Sequence, residues 1–266
     1  MAHRSGAWLL VMAATLVLLG VRPGSAQAPP RRLTIAAASD LQAAMPELVS
    51  RFERDANATV TVSFGSSGNF FAQIQNGAPY DLYLSADIDY PRQLIASGHA
   101  EEASLYRYAV GRIVLWTRKQ SGIDVTRGVQ VLTDARVKRI AIANPKFAPY
   151  GRAAEAALRQ GALYEKVQRK LVLGDNISQT AQLVDSGNAD VGIIALSLAL
   201  GPALRASGTY AEIPASTHPP IEQAAVVISA SKNKALAREL LEYLQRPDVA
   251  ELLHAFGFTA PQRQAP

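Results

Sequence analysis

The sequence predicts an α/β protein of two lobes, with mostly parallel sheets flanked by helices and two hinge crossings between them. Three observations predict it. Apolar, strand-like runs alternate with helical patterns from Leu33 to the end of the chain. The series restarts at Arg112-Ile113-Val114-Leu115-Trp116 after three strand–helix units. A late run, Ala224-Ala225-Val226-Val227-Ile228, has the character of the Ile113–Leu115 strand, as expected where the chain returns to its first lobe.

The elements follow in order. Leu33–Ala38 is a strand, and Leu41 to about Arg54 a helix with Leu41, Met45, Leu48 and Phe52 on one face. Pro46 falls inside that pattern, so this helix kinks there or begins late. Thr59–Phe64 is a second strand, followed by a short helix ending near Asn76-Gly77, where glycine suits a C-terminal cap. Asp81–Ser85 is a third strand, and Ile88 to Ser97 a third helix capped by Gly98. Three such units in a row imply parallel pairing with right-handed crossovers. In the second series, strands at Arg139–Ala143, Lys170–Leu173 and Val191–Ala195 alternate with helices at Tyr150–Gln160 and Ile177–Ser186. The tail from Lys232 to Phe258 reads as two helices broken at Arg246-Pro247. The chain leaves the first lobe near Gly111 and returns near Val226. The expected division is therefore residues 27–112 with 226–266 for lobe I, and 113–225 for lobe II.

The ends and composition narrow the class. Residues 1–26 carry Arg4, an apolar stretch from Trp8 to Leu19 and the small residues Gly24-Ser25-Ala26, which is the pattern of a cleaved secretory signal peptide. The mature protein is thus expected in the periplasm, not embedded in a membrane. The chain has no cysteine, which excludes disulfides, thiol catalysis and a lipid anchor on cysteine. Taking Arg4 and Arg22 from the 27 Lys and Arg leaves 25 against 22 acids, a balance of +3. That excess is small and scattered, so the basic residues read as solvated faces and not as a nucleic-acid stripe.

The informative residues are hydroxyls at helix starts. Ser39-Asp40 follows the first strand, and Gly65-Ser66-Ser67-Gly68 follows the second. Two more starts, Pro149-Tyr150-Gly151 and Asn176-Ile177-Ser178, follow strands of the second series. A helix N-terminus offers unpaired N–H groups and a partial positive charge, so it holds a small anion without a counter-charge. In parallel units these loops lie at the carboxyl edges of the strands, where open sheets bind ligands. Each feature alone has an ordinary structural reading: Ser39 as an N-cap, the proline-flanked loop before Tyr150 as a rigid turn. Two starts from each lobe, facing one another, would converge on one point in a cleft.

The stretches AAASDL, SFGSSGNFFAQIQNGAPYDLYLSAD, ANPKFAPYGRAAEAAL and DNISQTAQLVDSGNADVGIIALS closely resemble the periplasmic molybdate-binding proteins of ABC importers. The likeness runs from about Leu33 to Phe258. It implies a type II periplasmic-binding-protein-like fold, no enzymatic activity and no cofactor. It also implies molybdate or tungstate as ligand, held as an oxyanion with no direct protein–metal bond, and the membrane permease of an ABC importer as partner. A monomer is expected. Carried over position by position, the implied ligands are Ser39 and Ser67 (hydroxyl and N–H) and the backbone N–H groups of Tyr150 and Ile177. Some members place a tyrosine hydroxyl where this chain has Ala195, and the Tyr150 phenol is one candidate to replace it. Asp40, beside an anion site, is expected to face outward and favour its helix start. The alternatives are the same architecture tuned to sulfate, phosphate or another small anion, and a secreted serine hydrolase using Ser39 or Ser67. The hydrolase lacks a partner: the mature histidines His99, His218 and His254 lie far apart in the chain. Asp81, Asp87 and Asp89 are expected to cap a helix or line a surface, not to bind calcium.

Overall fold

The computed structural model describes residues 31–261; the proposed signal segment, residues 1–26, lies outside them. Two five-stranded sheets organise the described residues. The first has the order β2-β1-β3-β10-β4, built from β1 (Arg31–Ala38), β2 (Ala58–Gly65), β3 (Leu82–Ser85), β4 (Tyr106–Gly111) and β10 (Ile221–Val227). The second has the order β7-β6-β8-β5-β9, from β5 (Ile113–Arg118), β6 (Ile140–Ala143), β7 (Leu171–Gly174), β8 (Val191–Ala195) and β9 (Gly208–Glu212). The two orders are the same pattern. In each sheet the strand that follows a crossing, β5 or β10, pairs antiparallel with both neighbours, while the β1 and β6 pairings are parallel. Both sheets are therefore mixed, and only the crossing strand runs against the rest.

Helices cover both faces of the first sheet. Leu33, Ile35 and Ala37 of β1 point to one side, with Leu48 and Phe52 of α1 (Met45–Ala56), α9 (Lys234–Leu244) and α10 (Pro247–Ala255). Ala36, one residue out of phase, points to the other side, with Phe70 and Ile74 of α2 (Ser67–Gln75) and Leu94 of α3 (Asp89–Ala96). This is the two-residue period of a strand buried on both faces. Pro46 resolves as a late start: Ser39–Ala43 forms a short 3-10 turn, and α1 begins at Met45 with the proline in its first turn. In the second lobe α4 (Pro149–Gln160), α6 (Ile177–Asp185) and α7 (Leu196–Leu200) share one core with Trp116, Ile142 and Ile193. Between α4 and α6 lies the single turn α5 (Tyr164–Val167), and α8 (Pro202–Ser207) precedes β9. Among the described residues no helix is long and apolar enough to cross a membrane.

What matters for the site is where strands end. Register pairs Ala38 with Gly65, so β1 and β2 finish level and deliver Ser39 and the Ser66-Ser67 pair to the same edge of the sheet. Register likewise pairs Ala143 with Gly174, so β6 and β7 finish level before α4 and α6.

Candidate anion-binding site

Each serine is buried and oriented by a backbone donor. Ser39 is 2% exposed and Ser67 0%. The Ala86 N–H donates to Ser67 Oγ at 2.9 Å, and the Ser178 N–H donates to Ser39 Oγ at 3.3 Å. An accepted N–H occupies a lone pair of each hydroxyl and leaves its own proton as a donor. Ser39 spends that proton on a long bond to Asn176 Oδ1 at 3.2 Å. Ser67 and Ile177 are the first residues of their helices and Tyr150 the second, so their N–H groups have no intrahelical acceptor. None of these three N–H groups has another acceptor among the described residues.

The two lobes meet at these elements. Ser39 of the first reaches Asn176 and Ser178 at the start of α6. Gly68 N–H donates to Phe147 O at 2.9 Å, joining the start of α2 to the loop before α4. A side chain at Gly68 would bring its Cβ within 2.8 Å of both Phe147 O and the Tyr90 hydroxyl, so glycine permits this approach. Arg152 on α4 pairs with Asp87 after β3 and lies 5.6 Å over the Tyr90 ring. A cavity of about 430 Å³ lies beside that pair, lined by Ala86, Pro149 and Glu222 among others; Ser39 and Ser67 do not line it.

Asp40 does not face outward. It is fully buried, and its Oδ2 accepts from the Tyr150 hydroxyl at 2.8 Å and from Gln223 Nε2. Burial raises its pKa from 3.8 to about 6, against the lowering effect of the Gln223 and Tyr150 bonds. The 3-10 turn after β1 places residue 40 under the second lobe, where Ser197 Oγ also donates to its carbonyl at 2.7 Å. The Tyr150 phenol is committed to Asp40, so it does not serve as the spare donor for Ala195. Burial first, and the Asp40 charge second, keep that phenol protonated well above its ordinary range. Ala195 is buried at the end of β8 and pairs with Ile113, while the Tyr150 hydroxyl lies against Gly111. Both positions meet at the same crossing.

The remaining expectations resolve as follows. Asp81 binds the Thr34 N–H and Ser231 Oγ, Asp87 pairs with Arg152, and Asp89 opens α3. Among the described residues no group of three or more His, Asp or Glu is arranged to hold a metal ion. Gln223, Tyr108 and Ser197 escaped the sequence reading. Gln223 had a signal: it is a lone amide leading directly into the apolar run of β10, where a buried polar group needs partners.

Residues 33–259 match the family model described as bacterial extracellular solute-binding protein. The chain belongs to this family. It is 37% identical over 243 residues to the molybdate-binding protein ModA of Azotobacter vinelandii, covering 91% of this chain and 96% of that one. To ModA of Rhodobacter capsulatus it is 36% identical, covering 80% and 82%. The solved periplasmic molybdate-binding protein of Azotobacter vinelandii superposes with a TM-score of 0.81 at 33% identity, over 86% of this chain and all of that one. The sulfate-binding protein SubI of Mycobacterium tuberculosis, 14% identical with a TM-score of 0.68, shares the fold. The two-lobed α/β architecture of these solute-binding proteins is thus the architecture of this chain.

Proposed function

We propose that this protein captures molybdate in the cleft between its lobes and delivers it to the permease of an ABC importer. It is a binding protein and not an enzyme. The observation that carries the reading is that helix starts from opposite lobes meet: Ser39 bonds with Asn176 and Ser178 at the start of α6, and Gly68 at the start of α2 donates to Phe147 O in the loop leading into α4. An anion bound there would take the Ser39 proton from Asn176. Its ligand set is Ser39 and Ser67 through hydroxyl and N–H, and Tyr150 and Ile177 through N–H. The relatives named ModA support molybdate as the anion. Tungstate, of the same shape and charge, is the expected second ligand.

Lobe I on this reading is residues 27–112 with the segment from Ile221 onward, and lobe II is the part between. The return is set five residues earlier than the expected 226 because β10 pairs in the first sheet from Ile221, which puts Gln223 in lobe I. The anion bridges both lobes, so it binds the closed arrangement better and shifts the population toward it. Charge-assisted bonds to neutral donors supply the affinity in a water-poor cleft. Molybdate and sulfate are both tetrahedral dianions, so cavity size must separate them. The protein works as an exported, periplasmic monomer after removal of residues 1–26. Calorimetric titration of mature protein with molybdate, tungstate and sulfate tests the reading. Tight binding of the first two and weak binding of sulfate are expected. Tight sulfate binding with weak molybdate binding would refute it.

A further inference from the structure

Tyr150 meets the proposed oxyanion shell with its backbone N–H, but its side chain runs the other way, toward the crossing. The hydroxyl donates to Asp40 Oδ2 at 2.8 Å and accepts from Gln223 Nε2 at 3.1 Å. Gln223 also donates to Asp40 Oδ2 and accepts on Oε1 from the Tyr108 hydroxyl at 2.7 Å. Ser197 Oγ closes the set with its bond to the Asp40 carbonyl at 2.7 Å. All five residues are buried. Asp40, Tyr108 and Gln223 belong to the first lobe, Tyr150 and Ser197 to the second. The network lies under the crossing itself, since a Cβ at Gly111 would stand 2.1 Å from the Tyr150 hydroxyl oxygen.

Two features set this cluster apart from ordinary core polarity. Asp40 has no ion-pair partner among the described residues, and its Oδ1 makes no hydrogen bond of normal geometry, with only the N–H groups of residues 40 and 41 beside the carboxylate. A buried carboxylate in that state is costly, and an apolar side chain of similar size would be cheaper. Moreover, both of its inter-lobe bonds fall on the residue next to Ser39, and one of them runs to a residue whose N–H belongs to the shell. Tyr150 cannot shift its N–H away from the first lobe without breaking the bond from its phenol. The α4 start and the first lobe are therefore tied together at the closed spacing.

We propose that Asp40 is a positioning residue for the oxyanion site, acting through the Tyr150 phenol to hold the α4 start against the first lobe when the cleft closes. Its side chain is outside the proposed ligand set. Its contribution is preorganisation: donors already fixed in place lose less freedom on binding. The proposal rests on the anion-binding reading above and adds to it a residue outside the ligand set.

The test uses mature protein and whichever of molybdate, tungstate and sulfate the wild type binds most tightly. Tyr150→Phe keeps the ring and the N–H and removes only the hydroxyl. Its dissociation constant should rise about tenfold, equivalent to about 1.4 kcal/mol, with the change in the off-rate measured by stopped flow. Asp40→Ala should lose a similar factor, and the double variant should be no weaker than the weaker single, because both remove one interaction. Asp40→Asn keeps an acceptor for the phenol and should stay within about threefold of wild type. Ligand-free Tyr150→Phe should melt somewhat lower, because a buried carboxylate loses a donor. The faster off-rate and the near-normal affinity of Asp40→Asn are what separate positioning from general stabilisation. Should Asp40→Ala not fold, Tyr150→Phe and Asp40→Asn decide the question between them. Wild-type affinity in Tyr150→Phe, or losses in the two singles that simply add, overturns the positioning role alone. Failure of the wild type to bind any of the three anions overturns both readings.

Discussion

Replacing Asp40 by asparagine should change how stability depends on pH. The folded-state pKa of Asp40 stands at about 6, raised by burial from 3.8. Between those values the folded protein holds a proton that the unfolded chain has released. Stability from this group is thus complete below about pH 4 and is lost as pH rises through 6. At 1.36 kcal/mol per pKa unit, the rise from 3.8 to about 6 amounts to roughly 3 kcal/mol of stability lost by pH 7. Asparagine titrates in neither state, so Asp40→Asn removes this slope and leaves every other group as it was. Urea unfolding of the ligand-free mature protein at pH 4, 5, 6 and 7, wild type against variant, isolates the effect. The stability of the variant minus that of the wild type should climb across that range by as much as about 3 kcal/mol. Only the climb is diagnostic, because the exchange of carboxylate for amide also alters the bonds to Tyr150 and Gln223 by a constant amount. A flat difference would mean that Asp40 is not desolvated as described, and a falling one that an attractive partner holds its charge.

Other expectations follow from the site and the core. Ser67→Ala removes a donor to a charged ligand and strands the Ala86 N–H, so molybdate affinity should fall by at least about tenfold in a titration; Ser39→Ala should act likewise. Gly68→Ala places a Cβ within 2.8 Å of Phe147 O. Alanine also favours a helix by up to about 1 kcal/mol over glycine. That gain offsets only part of the clash with backbone and of the lost Gly68 N–H bond to Phe147 O, so the variant should melt somewhat lower than wild type without ligand, bind the anion more weakly and remain expanded by small-angle scattering when ligand is added. Phe52→Ala, in the core of the first lobe, should cost about 3–5 kcal/mol in urea unfolding and leave the affinity of the folded protein unchanged.

The lobes, their order and most elements were legible because they depend on short-range pattern. Strands such as Ile140–Ala143 and Val191–Ala195 are apolar runs that match their observed limits to within a residue. Helix starts were legible for the same reason, since Pro149 and Asn176 mark their own positions; Asn176 caps α6 by accepting from the Gln179 N–H. Strands β4 and β9 were not read, because Tyr106–Gly111 and Gly208–Glu212 mix polar and apolar residues with partial exposure and carry no clear period. The reversed orientation of β5 and β10 is a long-range matter of pairing that no local window contains. Asp40 was misplaced on a sound local argument. A carboxylate in a first helical turn ordinarily gains from facing solvent there. Tertiary contacts won: Tyr150, 110 residues away in sequence, and Gln223, 183 away, supply the bonds that keep it inside.

The repetition of one strand order in both lobes explains why a site of this kind needs so few special residues. Ending β1 level with β2, and β6 level with β7, brings two helix starts to each facing edge from ordinary parallel pairing. The N–H groups there are unpaired by the geometry of any helix, so on the proposed ligand set the backbone provides most of the anion's donors and the sequence has only to add hydroxyls. Cations are then unnecessary, and a lysine or arginine among these donors would also attract every other anion in solution. Closing two such edges on one another nevertheless requires something to fix their spacing, because dipoles and N–H groups do not hold lobes together when no anion is present. The side chains that span the gap at Asp40–Tyr150 and at Asp87–Arg152 meet that need, and both lie beside the donors instead of among them. Recognition of the anion and control of closure are in this way assigned to different groups on the same few residues. On the proposed ligand set Tyr150 carries both, one through its backbone and the other through its side chain.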